Sequence, residues 1–301
     1  MLRQAVVERI NTGHNFPAFP ATVQKLNGLL LQEDCSIVEV ANLIETDPGL
    51  AIGCIKLANS AAFSGTDRKH TVRDAVMRLG FREIRRLTFS IGIVGSVSHM
   101  KVVRLDWQKY WLHSVLTARL TELLTGAYQA LTGMEYLAGL IHDIGKLLIE
   151  HHFPREFETV ILELRNKANL TEMELRTIGI THAEVCSLIA ARWNLDRDIV
   201  QAVRLHHIDE RAELASLGHS PSQQIKVICL ALANRLANQI AANIDRDERV
   251  GQMDLEAMPE WAYLQNFSPW YELEFDLDVE LAKAQETLGS LPARRAAAAP
   301  Q

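Results

Sequence analysis

The sequence lacks the features that mark several common classes of protein. It has only four cysteines, none of them in a C-x-x-C pair, which argues against a disulfide framework and against a zinc knuckle. No apolar run reaches the length of a membrane span, and the start, MLRQAVVERINTGH, lacks the continuous apolar stretch of a signal peptide. We therefore expect a soluble, cytoplasmic protein with reduced thiols.

An excess of positive charge is also missing. The 301 residues include 31 Lys and Arg against 37 Asp and Glu, giving a formal net charge of -6. Proteins that bind nucleic acid or an anionic membrane usually carry a basic surface. We expect neither as the main partner, and nothing in the sequence predicts an oligomeric state.

Strand signals are scarce, whereas apolar residues recur at helical spacing almost from end to end, which predicts an all-α protein. We divide the chain into a helical part at 1–100, a second helical part at 101–245, and a C-terminal extension at 246–301 with one short helix and a tail. The predicted helices cover residues 2–11, 20–32, 36–46, 48–58, 71–79, 81–98, 107–131, 134–150, 154–168, 171–178, 182–193, 197–207, 221–242 and 277–288.

The segment EYLAGLIHDIGKLLIE, residues 135–150, places polar residues inside an apolar helix. Apolar side chains cover most of its circumference, which predicts burial. Yet it contains His142, Asp143 and Lys146, and a buried polar group without a partner costs a few kcal/mol. These three residues must therefore meet other polar groups.

Further histidines lie on separate predicted helices. A lone histidine on such a helix is more often a hydrogen-bonded core or surface group than a ligand, but helices of a bundle can bring several to one cleft. Imidazole with carboxylate suits iron, zinc, manganese or nickel. One of these rings directly follows a predicted helix cap, Thr181, where the helix dipole disfavours imidazolium and leaves a neutral ring. The histidines are His113, His182, His206 and His207.

The order of these residues resembles that of the HD superfamily, metal-dependent phosphohydrolases that bind one or two metals in an all-helical fold. The N-terminal segments FPAFP, DPGLAIGCIKLANSA and AVMRLGFREIRRL look like the HDOD family, the HD-related output domain of bacterial signal transduction. The resemblance covers residues 14 to 240. It implies an HD-like bundle preceded by a closely packed smaller helical unit, with a first metal site at His113, His142 and Asp143 and a second at His182, His206 and His207.

The chain also departs from the HD pattern. Asn234 stands where HD enzymes close the metal site with an aspartate, so it would be a weak, uncharged ligand. Lys109 stands where the relatives that hydrolyse cyclic dinucleotides carry a glutamate, and IDERAELASLG replaces their GYP signature. These departures count against hydrolysis of cyclic dinucleotides.

Two functional hypotheses follow from the resemblance. The first is a bacterial signalling output or scaffold module that binds a partner protein, has no established catalysis and can hold a divalent metal but no organic cofactor. The alternative is a metal-dependent phosphohydrolase of nucleotides or related phosphoesters. In that case Asp143 would hold or bridge metals and Lys146 would neutralise charge on the phosphate.

Overall fold

The computed structural model describes residues 3–12, 17–63, 65, 67–164, 169–207, 220–245, 255–271 and 276–291. Over these ranges the backbone forms helices, turns and loops without a β-strand, which confirms the predicted all-α fold. The helices are α1 (Arg3–Thr12), α2 (Ala21–Leu30), α3 (Ile37–Glu45), α4 (Pro48–Ala58), α5 (Val72–Val97), α6 (Trp107–Tyr128), α7 (Glu135–Ile141), α8 (Ile144–His152), α9 (Pro154–Leu164), α10 (Leu170–Thr177), α11 (His182–Arg192), α12 (Arg197–Arg204), α13 (Pro221–Asp245), α14 (Pro259–Leu264) and α15 (Leu277–Ser290).

The described residues divide into two compact units. The larger unit draws on Met1–Pro17 and Met100–Leu273, and the smaller unit draws on Ala18–His99 and Glu274–Ala296. The division near residue 100 lies close to the boundary expected from the sequence. The three-part division of the chain itself stays a prediction. Helix α1 belongs to the larger unit, most of which lies after residue 100 in the sequence. Helix α15 belongs to the smaller unit, most of which lies before residue 99.

Helix caps define the start of two helices in the smaller unit. Ser36 and Glu39 form a capping box at α3, because the Ser36 hydroxyl accepts from the Glu39 N–H while the Glu39 carboxylate accepts from the Ser36 N–H. Asp47 accepts the N–H groups of Gly49 and Leu50 at the start of α4, with Pro48 in the first helical position. The predicted cap at Asp47 and Pro48 is confirmed.

The apolar faces of α2, α3, α4 and α5 meet in one core. Helix α5 packs against the other three, and α4 also packs against α15. Leu26, Ile44, Leu57 and Ile84 are almost completely buried in this core. The periodic apolar residues of the sequence therefore form the core of the smaller unit.

Helix α5 is interrupted at Gly80. The backbone there has φ of 73° and ψ of 164°, a left-handed conformation that glycine adopts without steric penalty. The sequence predicts separate helices at 71–79 and 81–98, and the interruption at residue 80 confirms that break.

The larger unit is built around α6, which packs against α7 and α13. Helix α11 packs against α8 and α12, and α12 also contacts α7 and α13. Helix α11 begins with a capping box formed by Thr181 and Glu184, as the sequence predicts. These packing pairs bring the ends of several helices to one region.

One predicted helix is wrong in a way that affects the site. The chain does not continue as a single helix over 134–150, because α7 ends at Ile141 and α8 begins at Ile144. His142 and Asp143 form the turn between them, and Asp143 has a non-helical φ of -106° and ψ of 0°. The turn replaces the uninterrupted helix that the apolar periodicity favours.

Several predictions concern other parts of the chain. The short helix α14 is not among the predicted helices, since its six residues are too few to show a period. The end of the predicted helix at 165–168, the segment IDERAELASLG and the tail from residue 292 lie outside the described residues. Within the described ranges, no helix is long and apolar enough to cross a membrane.

Candidate metal centre

The first part of the His and Asp cluster lies where α6 packs against α7. His113 lies on α6, about one and a half turns from its start, and the turn after α7 carries His142 and Asp143. The Nε2 atoms of His113 and His142 are 3.2 Å apart. The structure thus brings residues from two separate helical segments to one place.

The second part of the cluster comes from α11 and from the turn after α12. His182 is the first residue of α11, and its Nε2 lies 2.8 Å from Nε2 of His207. The sequence predicts a helix over 197–207 that includes His206 and His207, but α12 ends at Arg204. The His206 side chain explains part of this difference, since its Nδ1 donates to the Val203 carbonyl oxygen at 2.7 Å near the helix end.

Asp143 lies between the two parts. Its Oδ2 is 3.6 Å from Nε2 of His113 and 3.4 Å from Nε2 of His142. Its Oδ1 is 3.3 Å from Nε2 of His182 and 3.6 Å from Nε2 of His206. Each carboxylate oxygen therefore faces a different pair of imidazole rings.

The cluster separates into two sets of metal-ligating atoms that share Asp143. One set comprises His113, His142 and Asp143, and the other comprises Asp143, His182, His206 and His207, with the donor atoms of each set within 4.8 Å of one another. Every predicted His and Asp ligand is included in one of the two sets. The sets have the donor composition of first-row transition-metal sites.

The outer nitrogens of two rings are fixed by hydrogen bonds to the backbone. Nδ1 of His142 donates to the Gly139 carbonyl oxygen at 2.6 Å, and Nδ1 of His206 donates to Val203. A carbonyl oxygen can only accept, so Nδ1 of each ring carries a proton and Nε2 is the nitrogen left to bind a metal. Such outer bonds are typical of histidine ligands, whose tautomer and orientation they fix.

His182 has a carboxylate as its outer partner. Oε2 of Glu174, on α10, accepts from Nδ1 of His182 at 2.7 Å and from its backbone N–H at 2.9 Å. Both side chains are completely buried. Nothing in the sequence singles out Glu174, because it is one of two acidic residues on a short amphipathic helix.

A thiol holds the turn that carries His142 and Asp143. The Cys186 Sγ accepts from the Gly145 N–H at 3.0 Å and donates to the His142 carbonyl oxygen at 2.8 Å. Gly145 is required for this close packing of α8 on α11, since a Cβ there would lie 2.1 Å from the His182 carbonyl oxygen. The sequence indicates no chemistry for Cys186, and its observed contacts position the turn.

Burial favours the neutral form of most of the rings. It lowers the pKa of His113 to about 3 and that of His206 to about 4, and it lowers the pKa of His207 as well. Burial alone would raise the pKa of Asp143, but the charges of His142 and Lys146 and the hydrogen bond from His142 hold it well below its usual range. The site therefore combines an ionised carboxylate with neutral rings at His113, His206 and His207.

His182 differs from the expectation drawn from its helix position. Burial lowers its pKa, but the charge of Glu174 and the hydrogen bond to that carboxylate outweigh the effect and raise it. The buried carboxylate thus has more influence on this ring than the positive end of the α11 dipole has.

The donor atoms fit a bound cation. Oδ1 of Asp143 and Nε2 of His206 are buried and make no hydrogen bond with any described residue. Nε2 of His142 also faces Nε2 of His113, and lone pairs directed at one another repel unless a proton or a cation lies between them. Buried polar atoms without a partner are rare, and an unplaced ion is one of their recognised explanations.

Lys146 also belongs to this site. Its Nζ lies 2.6 Å from Oδ2 of Asp143, in a side chain that is largely buried. The ammonium group therefore neutralises part of the Asp143 charge. The sequence places Lys146 beside this cluster, and the structure brings it there.

Asn234 lies on α13 and is buried. The resemblance predicts that its amide is a weak ligand in the metal site. Among the described residues, its Oδ1 instead accepts from Nδ2 of Asn238 at 3.2 Å. One turn of the same helix supplies this partner, so no cluster residue is needed to satisfy that oxygen.

A partly open pocket of about 400 Å³ adjoins the cluster. It brings two of the candidate metal ligands beside α13 and α14. The lining residues are His206, His207, Ala231, Asn234, Arg235, Asn238, Gln239 and Glu260. Seven of these eight residues have polar or charged side chains.

Comparisons with known proteins bear on the family and the fold of the chain. A family model described as HDOD domain matches residues 16–208. The crystal structure of an HDOD domain protein with unknown function from Geobacter sulfurreducens has a TM-score of 0.70 at 26% identity, covering 94% of this chain and 93% of that one. A proposed phosphohydrolase from Shewanella amazonensis SB2B has a TM-score of 0.67 at 23% identity, covering 96% and 98%, and this likeness shows the fold alone.

A curated sequence relative is also similar. It is an uncharacterized protein of Treponema pallidum (strain Nichols), 27% identical over 238 residues. The match covers 77% of this chain but only 44% of the relative, so the chain spans less than half of that protein's length.

Proposed function

The chain belongs to the HDOD domain family, and from this membership we propose that it is a bacterial, cytoplasmic signal-transduction output module with a divalent metal centre in its larger unit. Family membership supports the signalling role, in which the module binds a partner protein. The metal centre is supported by one observation above all: the two oxygens of Asp143 face two different sets of histidines.

Two groups of histidines, one on each side of Asp143, would bind metal. His113 and His142 would serve one side of Asp143, and His182, His206 and His207 the other. Neutral imidazoles and a carboxylate suit iron, manganese, zinc or nickel. Bound metal would supply charge stabilisation and a Lewis acid, while the outer bonds of the rings would keep their Nε2 atoms directed inward.

The position of Asn234 favours a signalling role over catalysis. A neutral amide in the place where HD enzymes have an aspartate contributes no negative charge, so the centre has a single carboxylate for two ligand sets. Lys109 likewise replaces a glutamate of the cyclic-dinucleotide hydrolases. Both substitutions reduce the negative charge available to hold two divalent ions.

The metal content of protein purified without an affinity tag tests the centre. We expect one to two equivalents of transition metal by mass spectrometry of the wild-type protein, and a loss of most of it in Asp143→Ala. Asp198→Asn is a matched control, because Asp198 pairs with Lys226 on α13 and belongs to neither ligand set. Wild-type protein without metal, even after incubation with iron or manganese, would refute the proposed centre.

A partner screen tests the signalling role. Co-purification from the source cell should capture a protein with the wild-type module. Failure to find a partner, together with hydrolysis of a phosphoester at about 1 per second or faster, would refute the proposal, since that rate is ordinary for an enzyme.

Phosphoester hydrolysis is the second candidate, favoured by Lys146 and by the adjoining pocket. Asp143 would help to hold metal, which would supply a Lewis acid, and the Lys146 ammonium beside it would neutralise charge on a phosphoryl oxygen. A panel of nucleotides, cyclic dinucleotides and a chromogenic phosphodiester, assayed with iron and manganese, decides this question. Turnover that Asp143→Ala abolishes would establish the activity, and absence of turnover would exclude it for that panel.

A further inference from the structure

The pocket beside the metal centre contains a buried carboxylate that the metal centre does not use. Glu260 lies on α14, is only 7% exposed and lines the pocket together with His206 and His207. It follows the segment matched by the family model, which ends at residue 208. Neither ligand set includes it.

The two oxygens of Glu260 have different surroundings. Oε1 accepts from Nε of Arg235 at 2.8 Å and lies 2.7 Å from another guanidinium nitrogen of the same side chain. Oε2 is buried and makes no hydrogen bond with any described residue. A carboxylate oxygen is an acceptor only, so Oε2 requires a donor from a water molecule or a ligand.

The histidines that line the pocket favour an anion nearby. His206 and His207 belong to the ligand set that also contains Asp143 and His182, and a divalent ion held there would attract negative charge. Asn234 adds a donor to the lining, because its Oδ1 already accepts from Asn238 and its NH₂ group is the donor that remains. The pocket thus combines two candidate metal ligands and an amide donor with an acceptor at Glu260.

The Arg235 guanidinium also constrains the donor that Glu260 would bind. Because Arg235 already neutralises the carboxylate, a second cation would gain little there and would be repelled by the guanidinium. A neutral N–H group avoids this repulsion. A volume of about 400 Å³ lies within the range of small-molecule sites.

We infer that this pocket binds a phosphomonoester of a small polar molecule, with the phosphoryl group toward His206 and His207 and a neutral N–H donor hydrogen-bonded to Oε2 of Glu260. This inference rests on the proposed metal centre for the phosphoryl end. It adds a determinant of ligand specificity, Glu260, and the class of ligand.

Matched ligand pairs test the inference by calorimetry on manganese-loaded, full-length protein. One pair is N-acetylglucosamine 6-phosphate and 2-deoxyglucose 6-phosphate, and the other is adenosine 5′-monophosphate and purine riboside 5′-monophosphate. In each pair only the first carries the neutral N–H donor under test. We expect the donor-bearing member of at least one pair to bind about tenfold tighter or more, as a hydrogen bond to a charged acceptor predicts.

Glu260→Gln should remove that preference. Its amide oxygen can remain on Arg235 while its NH₂ group replaces the free oxygen, turning an acceptor into a donor. Glu260→Asp, which withdraws the oxygen by one methylene group, is the second variant if the first is unstable to heat. Asp198→Asn is the control, since it alters another carboxylate paired with α13 but does not line the pocket.

The outcomes separate this inference from the proposed function. A filled metal centre with no donor preference in either pair, or a preference that survives in both Glu260 variants, would refute the role of Glu260 alone. Metal content measured on the same preparations identifies the other case, because a centre that stays empty refutes the proposed function and this inference together.

Discussion

Replacing Glu174 with glutamine removes one buried charge from behind His182 while keeping the shape of the side chain. Oε2 of Glu174 accepts two hydrogen bonds from His182, and Oε1 is buried without a hydrogen bond to any described residue. In Glu174→Gln the amide oxygen can keep both bonds. Its NH₂ group then occupies the position of Oε1, an atom that makes no hydrogen bond with any described residue.

Two effects of Glu174→Gln follow, and they have different magnitudes. A hydrogen bond to a charged group contributes about 1.5–3 kcal/mol and a neutral one about 0.5–1.5 kcal/mol, so metal-free protein should lose about 1–2 kcal/mol of unfolding free energy. Outer partners of metal-ligating histidines typically change affinity by about ten- to a hundredfold, which corresponds to about 1.4–2.7 kcal/mol. We expect metal binding at the His182 side to weaken by that amount.

Titration against a competing chelator measures the affinity, and urea unfolding in the presence of a chelator measures the stability. Glu172→Gln is the matched control, because Glu172 lies on the same helix away from the buried face and should change neither quantity. Unchanged metal affinity in a folded Glu174→Gln protein would refute the assignment of Glu174 as a positioning residue. Lower stability by itself would indicate only a structural role.

Three further predictions concern the same region. Gly145→Ala should lower the unfolding free energy by about 1–3 kcal/mol or more and reduce metal content, because its Cβ would lie 2.1 Å from the His182 carbonyl oxygen. Asn234→Asp should tighten metal binding by about ten- to a hundredfold by adding a carboxylate beside the centre, and should destabilise the metal-free protein, as stability and metal titrations will show. Metal-free protein should also lose stability as pH falls from about 7.5 to about 5.5, through the unfolded-state pKa of histidine. In the folded state the pKa of His113 is about 3 and that of His206 about 4, whereas in the unfolded chain both lie near the ordinary value of about 6.5, so the unfolded chain takes up more protons.

Each of these three predictions has either a control variant or a result that would contradict it. Gly95→Ala should stabilise the protein by about 0.5–1 kcal/mol, since Gly95 lies on α5 and a Cβ added there would meet no other atom within 4 Å. An Asn234→Asp protein with unchanged metal affinity and unchanged metal-free stability would place Asn234 outside the influence of the centre. For the pH series, a urea midpoint in the presence of chelator that stays constant or rises toward the acid end would contradict the burial of neutral rings.

The sequence predicts most of the helices because apolar spacing and caps are local signals. The cap at Thr181 and the interruption at Gly80 depend on residues a few positions apart, and the structure confirms both. The turn at His142 and Asp143 is missed, since its apolar neighbours continue the helical period on both sides. Only packing against other helices distinguishes two short helices from one long one there.

The partners of the candidate ligands could not be predicted in the same way. Glu174 is one acidic residue among several, and only the packing of α10 beside the start of α11 decides that it faces His182. Cys186 and Glu260 likewise depend on contacts between helices distant in sequence. Histidine spacing therefore points to the candidate site, but the hydrogen bonds that orient it require three-dimensional information.

The position of a single carboxylate between two ligand sets has a consequence for the occupancy of the proposed centre. Asp143 is the only anionic group in either set, so two divalent ions would share one negative charge. The first ion would therefore raise the free energy of binding the second, and by linkage each would lower the affinity for the other equally. Such negative cooperativity would keep the singly loaded form dominant over a wide range of free metal concentration, which would make the degree of loading a graded measure of metal supply.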